Sequence, residues 1–249
     1  MYINTTALVL RETAYKDSSK ILTVLTRSDG KLTVSARGAL RRNSKLAAPT
    51  QLFVFSEMTL FSNRDRWTLT EARCIEQFIG LRNDVELLSL ASYFAELIEA
   101  AADEDCPGQE LLPLCLNALY ALSEGLKPPE YVKPAFELRL MSASGFAPLI
   151  DHCSECETEV FESASLSLEG GTLFCEKCAK PGYKKLSRGT LSAMKYILQS
   201  DTKKLFSFKI SETALRELYR VAELYLLTQF DRKFRTLEYY TAWTFTGNQ

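Results

Sequence analysis

Four cysteines set the tightest constraint on how this chain can fold. Cys153-x2-Cys156 is followed, 18 residues later, by Cys175-x2-Cys178. Each pair puts two soft thiolates on one tight turn, and four thiolates at this spacing meet the tetrahedral preference of zinc. Between the pairs, Gly170-Gly171-Thr172-Leu173-Phe174 reads as a turn and a short strand that return the second pair to the first. A closed shell of four sulfurs leaves no position for water, so the spacing predicts one structural Zn2+ rather than a catalytic ion. The ion would hold a loop-rich insert over residues 151–180. In zinc-finger peptides such binding is worth roughly 10–16 kcal/mol at neutral pH. The competing reading is four unrelated cysteines with a redox pair, but a thioredoxin-like site wants one Cys-x2-Cys opening a helix after a strand.

Cys74, Cys106 and Cys115 bring the total to seven, and their apolar or mixed surroundings read as those of buried hydrophobes. The odd number, with no basic and apolar leader in Met1-Tyr2-Ile3-Asn4-Thr5, suits a cytoplasmic chain with reduced thiols. The longest strictly apolar run, Ala118 to Leu122, is far short of the roughly 20 residues a bilayer needs. His152 is the single histidine, so a histidine-based triad would have to run through it; it could also replace a cysteine as ligand, but beside Cys153 it reads rather as a surface neighbour of the knuckle. There is no Gly-x4-Gly-Lys-Ser/Thr, Gly-x-Gly-x2-Gly or His-Glu-x2-His, the usual equipment of ATP, dinucleotide and zinc-protease chemistry.

Residues 1–80 read as a β unit. Tyr2 to Tyr15, Lys20 to Thr26, Lys31 to Ala36, Gln51 to Phe61 and Trp67 to Gln77 are rich in Val, Ile, Leu, Thr and Phe and are separated by turn formers. Asp29-Gly30 marks a hairpin between the second and third. A polar, basic connector, Arg37 to Lys45, follows the third. Five strands with a long connector after the third predict an OB-fold barrel; an SH3-like barrel fits the same pattern.

Beyond residue 80 the period changes to that of helices, so residues 81–249 read as an α-helical domain containing the 151–180 insert. Leu88, Ala91, Phe94, Ala95, Ile98 and Ala102 share one face, with Asn83 and Glu86 placed as a capping pair. Leu111 to Leu122 and Tyr131 to Ala143 predict two more helices, separated by Pro128-Pro129; the second is stopped by Gly145 and Pro148. After the insert, Leu191, Met194, Ile197 and Leu198 form one face. Ser211 then caps a longer helix carrying Leu215, Leu218, Ala222, Tyr225, Leu226 and Phe230.

A net charge of −1 hides a strong asymmetry. Residues 1–80 carry 12 Lys+Arg against 7 Asp+Glu, 81–150 carry 4 against 11, 151–180 carry 2 against 7, and 181–249 carry 12 against 6. Basic ends around an acidic middle suggest a polyanion-facing surface, against the plainer reading of a solvated exterior. Arg37, Arg41, Arg42 and Lys45 in the connector can neutralise phosphates, while Phe53, Phe55, Phe61, Trp67 or Tyr15 can offer stacking faces, though most of these rings should be core. Arg232, Lys233 and Arg235 form a second cluster, read as ending the long C-terminal helix, where phosphate binding competes with complementation of the helix dipole.

These features together resemble the bacterial recombination mediator family RecO over nearly the whole chain. The run Ala7-Leu8-Val9-Leu10-Arg11-Glu12-Thr13-Ala14-Tyr15-Lys16-Asp17-Ser18-Ser19-Lys20-Ile21-Leu22-Thr23 is similar to the family's opening. Gly30-Lys31 and Ala36-Arg37-Gly38-Ala39 resemble its third strand and connector. The order helices, four-cysteine knuckle, helices, and the segment Leu226 to Leu237, are also RecO-like. The resemblance implies a non-enzymatic DNA-repair protein that binds single- and double-stranded DNA and anneals complementary strands. It further implies partnership with RecR and single-strand-binding protein in loading RecA, a nucleoid-associated cytoplasmic location, and no membrane or small-molecule substrate. The family's basic connector maps onto Arg37, Arg41 and Arg42, and its basic C-terminal motif onto Arg232, Lys233 and Arg235. Where many members carry Lys-Ser, this chain has Arg235-Thr236. Two other classes fit parts of the sequence: a zinc-ribbon protein-interaction adaptor without DNA binding, and a nucleic-acid-modifying enzyme using carboxylates and magnesium.

Overall fold

A computed structural model describes residues 1–64, 66–103, 109–159 and 162–246; the expectation for Cys106 lies outside the described residues. The chain forms two compact units, one of residues 1–124 with 235–249 and the other of residues 125–234.

The first unit opens with β1 (Tyr2–Tyr15), β2 (Ser19–Thr26), β3 (Lys31–Ala36), β4 (Phe55–Asn63) and β5 (Arg66–Glu76). They close into a barrel in the order β1-β2-β3-β5-β4. All pairings are antiparallel except β3 with β5, a short parallel seam through Val34–Trp67 and Ser35–Thr68. Alternation fills the barrel, since Ala7 and Val9, Leu22 and Val24, Leu32, Val34 and Ala36, and Met58 and Leu60 pack together at a period of two. This closed five-stranded barrel with a long β3–β4 connector is the OB-type arrangement expected.

The fourth strand begins at Phe55 rather than Gln51. Phe53 has φ 61°, its N–H donates to Val9 O, and Val9 N–H donates to Val54 O; this left-handed residue ties the connector to β1 and delays the ladder. Phe53 is therefore core, while Phe55, Phe61 and Trp67 are half-buried and Tyr15 is exposed. Farther back, Lys20 Nζ pairs with Glu12 and Leu52 N–H donates to Glu12 Oε1, anchoring the end of the connector. Cys74, expected to be buried, is half-buried on β5 beyond the core residue Leu69, whereas Cys115 is buried.

Helices α1 (Val85–Ala101) and α2 (Leu111–Ser123) continue this unit. The cap of α1 is Asp84 rather than Asn83, with Oδ1 accepting from the N–H groups of Glu86 and Leu87. Its buried arc is wider than the expected stripe, adding Leu90, Tyr93 and Leu97 while Leu88 is only half-buried, because β1, α2 and a final helix all contact it. Gly80 lies in a short 3-10 turn, Ile79–Asn83, that links the barrel to α1. A Cβ there would stand 2.1 Å from Ser123 O, so Gly80→Ala is expected to lower stability by about 1–3 kcal/mol, measurable by urea titration; an unchanged midpoint would contradict the close approach.

The second unit contains α3 (Pro129–Ala143), a sheet of β6 (Ser163–Ser167), β7 (Thr172–Phe174) and β8 (Lys184–Ser187) in the order β7-β6-β8, then α4 (Arg188–Gln199) and α5 (Glu212–Phe230). α3 is buried from Val132 through Leu138. That stretch includes the Lys133 ammonium, 2.7 Å from both a Glu137 and a Glu223 carboxylate oxygen and 4.3 Å from the Tyr219 ring centroid. Ser187 and Ser211 cap α4 and α5.

The basic C-terminal residues do not end a helix. α5 stops at Phe230, Asp231 turns with φ 47°, Arg232, Lys233 and Phe234 follow as non-helical chain, and Arg235 opens α6 (Arg235–Thr246). α6 rejoins the first unit and packs on α1 through buried Leu237 and Tyr240. Arg235 thus stands at the positive end of a helix, so dipole complementation does not account for it. Glu96 of α1 caps that end instead, its carboxylate accepting from Thr236 N–H at 3.0 Å and from the Thr236 hydroxyl.

Candidate functional site

Two turns build the cysteine cluster. Glu157 N–H donates to Cys153 O, and the N–H groups of Cys178 and Ala179 donate to Cys175 O, while Ser154 N–H donates to Leu173 O and fastens the first turn to β7. The four Sγ atoms all lie within 4.8 Å of one another, and Cys156 and Cys175 are 3.8 Å apart. A tetrahedron with metal–sulfur bonds of about 2.3 Å has edges of about 3.8 Å, so the sulfurs are spaced to hold a metal ion and are far too separated for a disulfide. Burial opposes ionisation of Cys153, but hydrogen bonds from the backbones of Cys175, Cys156 and Glu155 outweigh it and bring the thiol down to about 6. Contacts with the Thr158 hydroxyl and backbone lower Cys156. Cys178 moves the other way, to about 12, because its bond with Cys175 and its burial favour the protonated form. Metal uptake must therefore release the Cys178 proton, and affinity should rise with pH through the neutral range; calorimetry in buffers of different ionisation enthalpy checks this, and uptake without proton release would contradict it. His152 is exposed and stands outside the cluster.

A second feature lies on the barrel. Tyr15 and Lys16 from the β1–β2 turn, Thr33 and Ser35 of β3, Arg37 of the connector, and Arg66, Trp67 and Thr68 of β5 line a groove of about 710 Å³. The groove crosses the β3–β5 seam, so the pleat presents short hydroxyls along its floor and long cations at its rim. Gly38 N–H donates to Ser19 Oγ and Leu40 N–H to Ser18 O, fixing the start of the connector against the same turn. Lys16 lies 5.3 Å from the Tyr15 ring centroid. Three cations beside the exposed Tyr15 ring can bind a phosphodiester strand and stack a base, while Trp67 lines the groove with its ring partly packed on the barrel core.

Of the connector cations expected from sequence, Arg37 reaches this groove. Arg41, Arg42 and Lys45 are exposed on the connector itself, and the Arg41 side chain folds over Gly38, where a Cβ would meet it at 3.5 Å. Lys16 and Arg66 escaped the sequence reading because each sits alone at a strand end; their places flanking a turn and an aromatic strand were the available signal. Arg232 and Lys233 fall in the second unit and Arg235 in the first, all three exposed, with the Arg232 guanidinium 4.7 Å from the Phe234 ring. A hollow of about 570 Å³ over β1, β4 and β5 is different in kind. Its lining cation Arg73 is paired with Glu57 at 2.9 Å, and Glu71 adds a negative charge, so it has little to offer a polyanion.

Among the described residues no helix is long and apolar enough to cross a membrane. The family model "Recombination protein O N terminal" matches residues 1–78, and "Recombination protein O C terminal" matches residues 82–238. The chain is 34% identical over 240 residues to the DNA repair protein RecO of Acetivibrio thermocellus, covering 96% of each. It is 32% identical over 242 residues to that of Symbiobacterium thermophilum, covering 95% of each, and 31% identical over 236 residues to that of Desulforamulus reducens, covering 94% of this chain and 91% of the relative. With a barrel, a helical part and a four-cysteine cluster in the order these matches span, the chain belongs to the RecO family of DNA repair proteins.

Proposed function

We propose that this protein is a non-enzymatic recombination mediator that binds single- and double-stranded DNA and anneals complementary strands. With RecR and single-strand-binding protein it helps load RecA, working in the cytoplasm at the nucleoid. The observation that carries the reading is the barrel groove, where Lys16, Arg37 and Arg66 border Tyr15 and Trp67. Cations that meet phosphates supply affinity without sequence preference, which suits a protein that must accept any broken DNA. In this reading residues 1–80 are the DNA-binding domain and residues 81–249 the helical domain, a division supported by the two family models meeting near residue 80. Arg37, Arg41, Arg42 and Lys45 form one phosphate-binding set, and Arg232, Lys233 and Arg235 a second; two such sets give two strands a place on one protein, which is what annealing needs. Cys153, Cys156, Cys175 and Cys178 hold one structural Zn2+ that supplies folding energy to the 151–180 knuckle.

The test is fluorescence anisotropy of a labelled single-stranded oligonucleotide over a salt series. Binding should weaken linearly on log-log axes with a slope of about −0.7 per phosphate neutralised. Replacing Arg37, Arg41 and Arg42 by Ala should make the slope shallower by about 2 and weaken binding roughly 100-fold at 0.1 M salt. Identical affinity and slope in that variant would remove the connector from the interface, and no binding by the wild-type protein at low salt would sink the mediator reading.

A further inference from the structure

Charge is sharply divided along the second unit. Residues 125–176 carry three Lys and Arg against nine acids, whereas residues 177–209 carry nine against a single acid, Asp201. Helix α4 runs through the basic stretch and has no acid of its own. Its buried side, Thr190, Leu191, Ala193, Met194 and Ile197, packs against α3, α5, β6 and β8, so those elements lie behind it. The outward side is a stripe of Arg188, Ser192, Lys195 and Gln199, the i, i+4, i+7 and i+11 places of one helical face. β8 brings Lys184 and Lys185, both exposed, to the start of that stripe. At the far end a short 3-10 turn, Thr202–Lys204, folds back on the helix, where the Tyr196 hydroxyl donates to Lys204 O at 3.0 Å; Lys203 and Lys204 are exposed there. Arg188 and Lys195, the centres of these two groups of cations, are about 10 Å apart along the helix axis. That equals three nucleotide rises of about 3.4 Å each. Among the described residues no acid stands within ion-pair distance of any of these six cations. Glu217, beside the start of the helix, accepts from Ser187 N–H at 2.7 Å, and Glu212 is paired with Arg216.

We propose that this outer face of α4, with β8 at one end and Thr202–Lys204 at the other, binds the phosphate backbone of double-stranded DNA. The inference rests on the DNA-binding reading above and gives the duplex a site apart from the barrel groove and from the two basic sets named there. A protein partner would need an apolar or aromatic anchor. Among the described residues none of the exposed large apolar side chains falls between Leu149 and Leu224, so the face offers no such anchor. It offers no ring to an unpaired base either. The Tyr196 hydroxyl is bound to Lys204 O and its ring lies 6.4 Å from that of Phe208, while Tyr183 packs on Phe174 at 4.8 Å. Cations without a stacking face suit a ligand whose bases are already paired, and Ser192 and Gln199 add neutral groups that hydrogen-bond phosphate oxygens. The barrel groove, with the exposed Tyr15 ring, suits the open strand.

The experiment compares a labelled blunt duplex with labelled oligo(dT) by anisotropy over a salt series, using the full chain. Replacing Arg188, Lys195 and Lys203 by Gln should make the duplex log-log slope shallower by about 2–3 and weaken duplex binding roughly 100- to 500-fold at 0.1 M salt. The same variant should bind oligo(dT) with the wild-type affinity and slope. Arg216→Gln with Arg220→Gln, which removes cations from α5 of the same unit, should leave both ligands bound as in the wild type. In the wild-type chain the duplex should shield Lys195, Lys203 and Lys204 from acetylation by an N-hydroxysuccinimide ester, read by mass spectrometry, and oligo(dT) should not. Normal duplex binding by the α4 variant, with the three lysines unshielded, would overturn the inference alone and leave the face to an acidic protein. Equal losses for the duplex and oligo(dT), or an equal loss in the α5 variant, would do the same, since overall charge would then account for the effect. Absence of binding to either DNA by the wild-type chain at low salt would overturn the mediator reading and this inference with it.

Discussion

On the structural-zinc reading proposed above, removing the metal from the cysteine cluster is expected to unfold the knuckle. Chelation, or Cys175→Ser, takes away a ligand set whose binding in small zinc modules is worth roughly 10–16 kcal/mol, more than the whole stability of many domains. The segment has little with which to replace it. Ala164, Leu166, Leu173, Phe174 and Leu186 are the buried apolar residues of β6, β7 and β8, and a three-stranded sheet of three to five residues per strand is marginal without support. Loss should spread to the neighbouring helix, because Gln229 of α5 donates to Leu168 O at 2.7 Å and Gly171 lies under the Tyr225 hydroxyl, 2.7 Å from where a Cβ would stand. Backbone amides of residues 162–187 should lose hydrogen-exchange protection while those of β1–β5 keep theirs, with one equivalent of Zn2+ released to a colorimetric chelator. A metal-free wild-type protein with a protected knuckle would end the structural-zinc reading.

Lys133→Met should be the most damaging single substitution in the helical core. The ammonium is fully buried, paired with the fully buried carboxylate of Glu137 and with Glu223, and set over the Tyr219 ring. Methionine keeps the volume and removes the charge, leaving two carboxylates facing each other in a medium that solvates them poorly. Breaking a buried pair from one side costs about 3–5 kcal/mol, which for a protein of this size lowers Tm by about 6–20 °C. Adding Glu137→Leu should recover much of that loss, since the stranded charge, rather than the missing attraction, is the main cost. A Lys133→Met variant that melts within 2 °C of the wild type, at about 1 kcal/mol or less, would mean the site is wetter than its burial indicates.

Much of this architecture could be read from the chain because each part obeys a local rule. The barrel strands alternate, the cap at Ser211 precedes an apolar stripe, and the cysteine spacing requires no tertiary knowledge. What escaped the reading depended on contacts between distant residues. Lys16 and Arg66 become a pair of cations only when the β3–β5 seam brings the β1–β2 turn near the start of β5. α6 was invisible because its charged first residue and mixed composition continue the look of the segment before it; the turn at Asp231 rests on a left-handed backbone that sequence does not advertise. Asp84 displaced Asn83 as a cap by a single position, within the ordinary latitude of helix boundaries. Lys133 and Glu137 stand at i, i+4, a spacing common to exposed helix pairs, and only the packing of α5 over α3 makes theirs a buried ionic site.

The return of α6 to the first unit has a consequence for the order in which the protein is made. Residues 125–234 stand between α2 and α6 in the chain, so the ribosome must deliver the whole second unit before Leu237 and Tyr240 can cover α1. At about 5–20 residues per second that interval lasts roughly 5–20 s. Throughout it the barrel is complete in sequence while the α1 face beneath α6 is open to water. The second unit can fold as one uninterrupted stretch during this time, whereas the first must wait for α6. A chain that stalls between residues 125 and 234 therefore presents the cell with a closed barrel and a sticky helix, the kind of exposed apolar surface on which chaperones and proteases act.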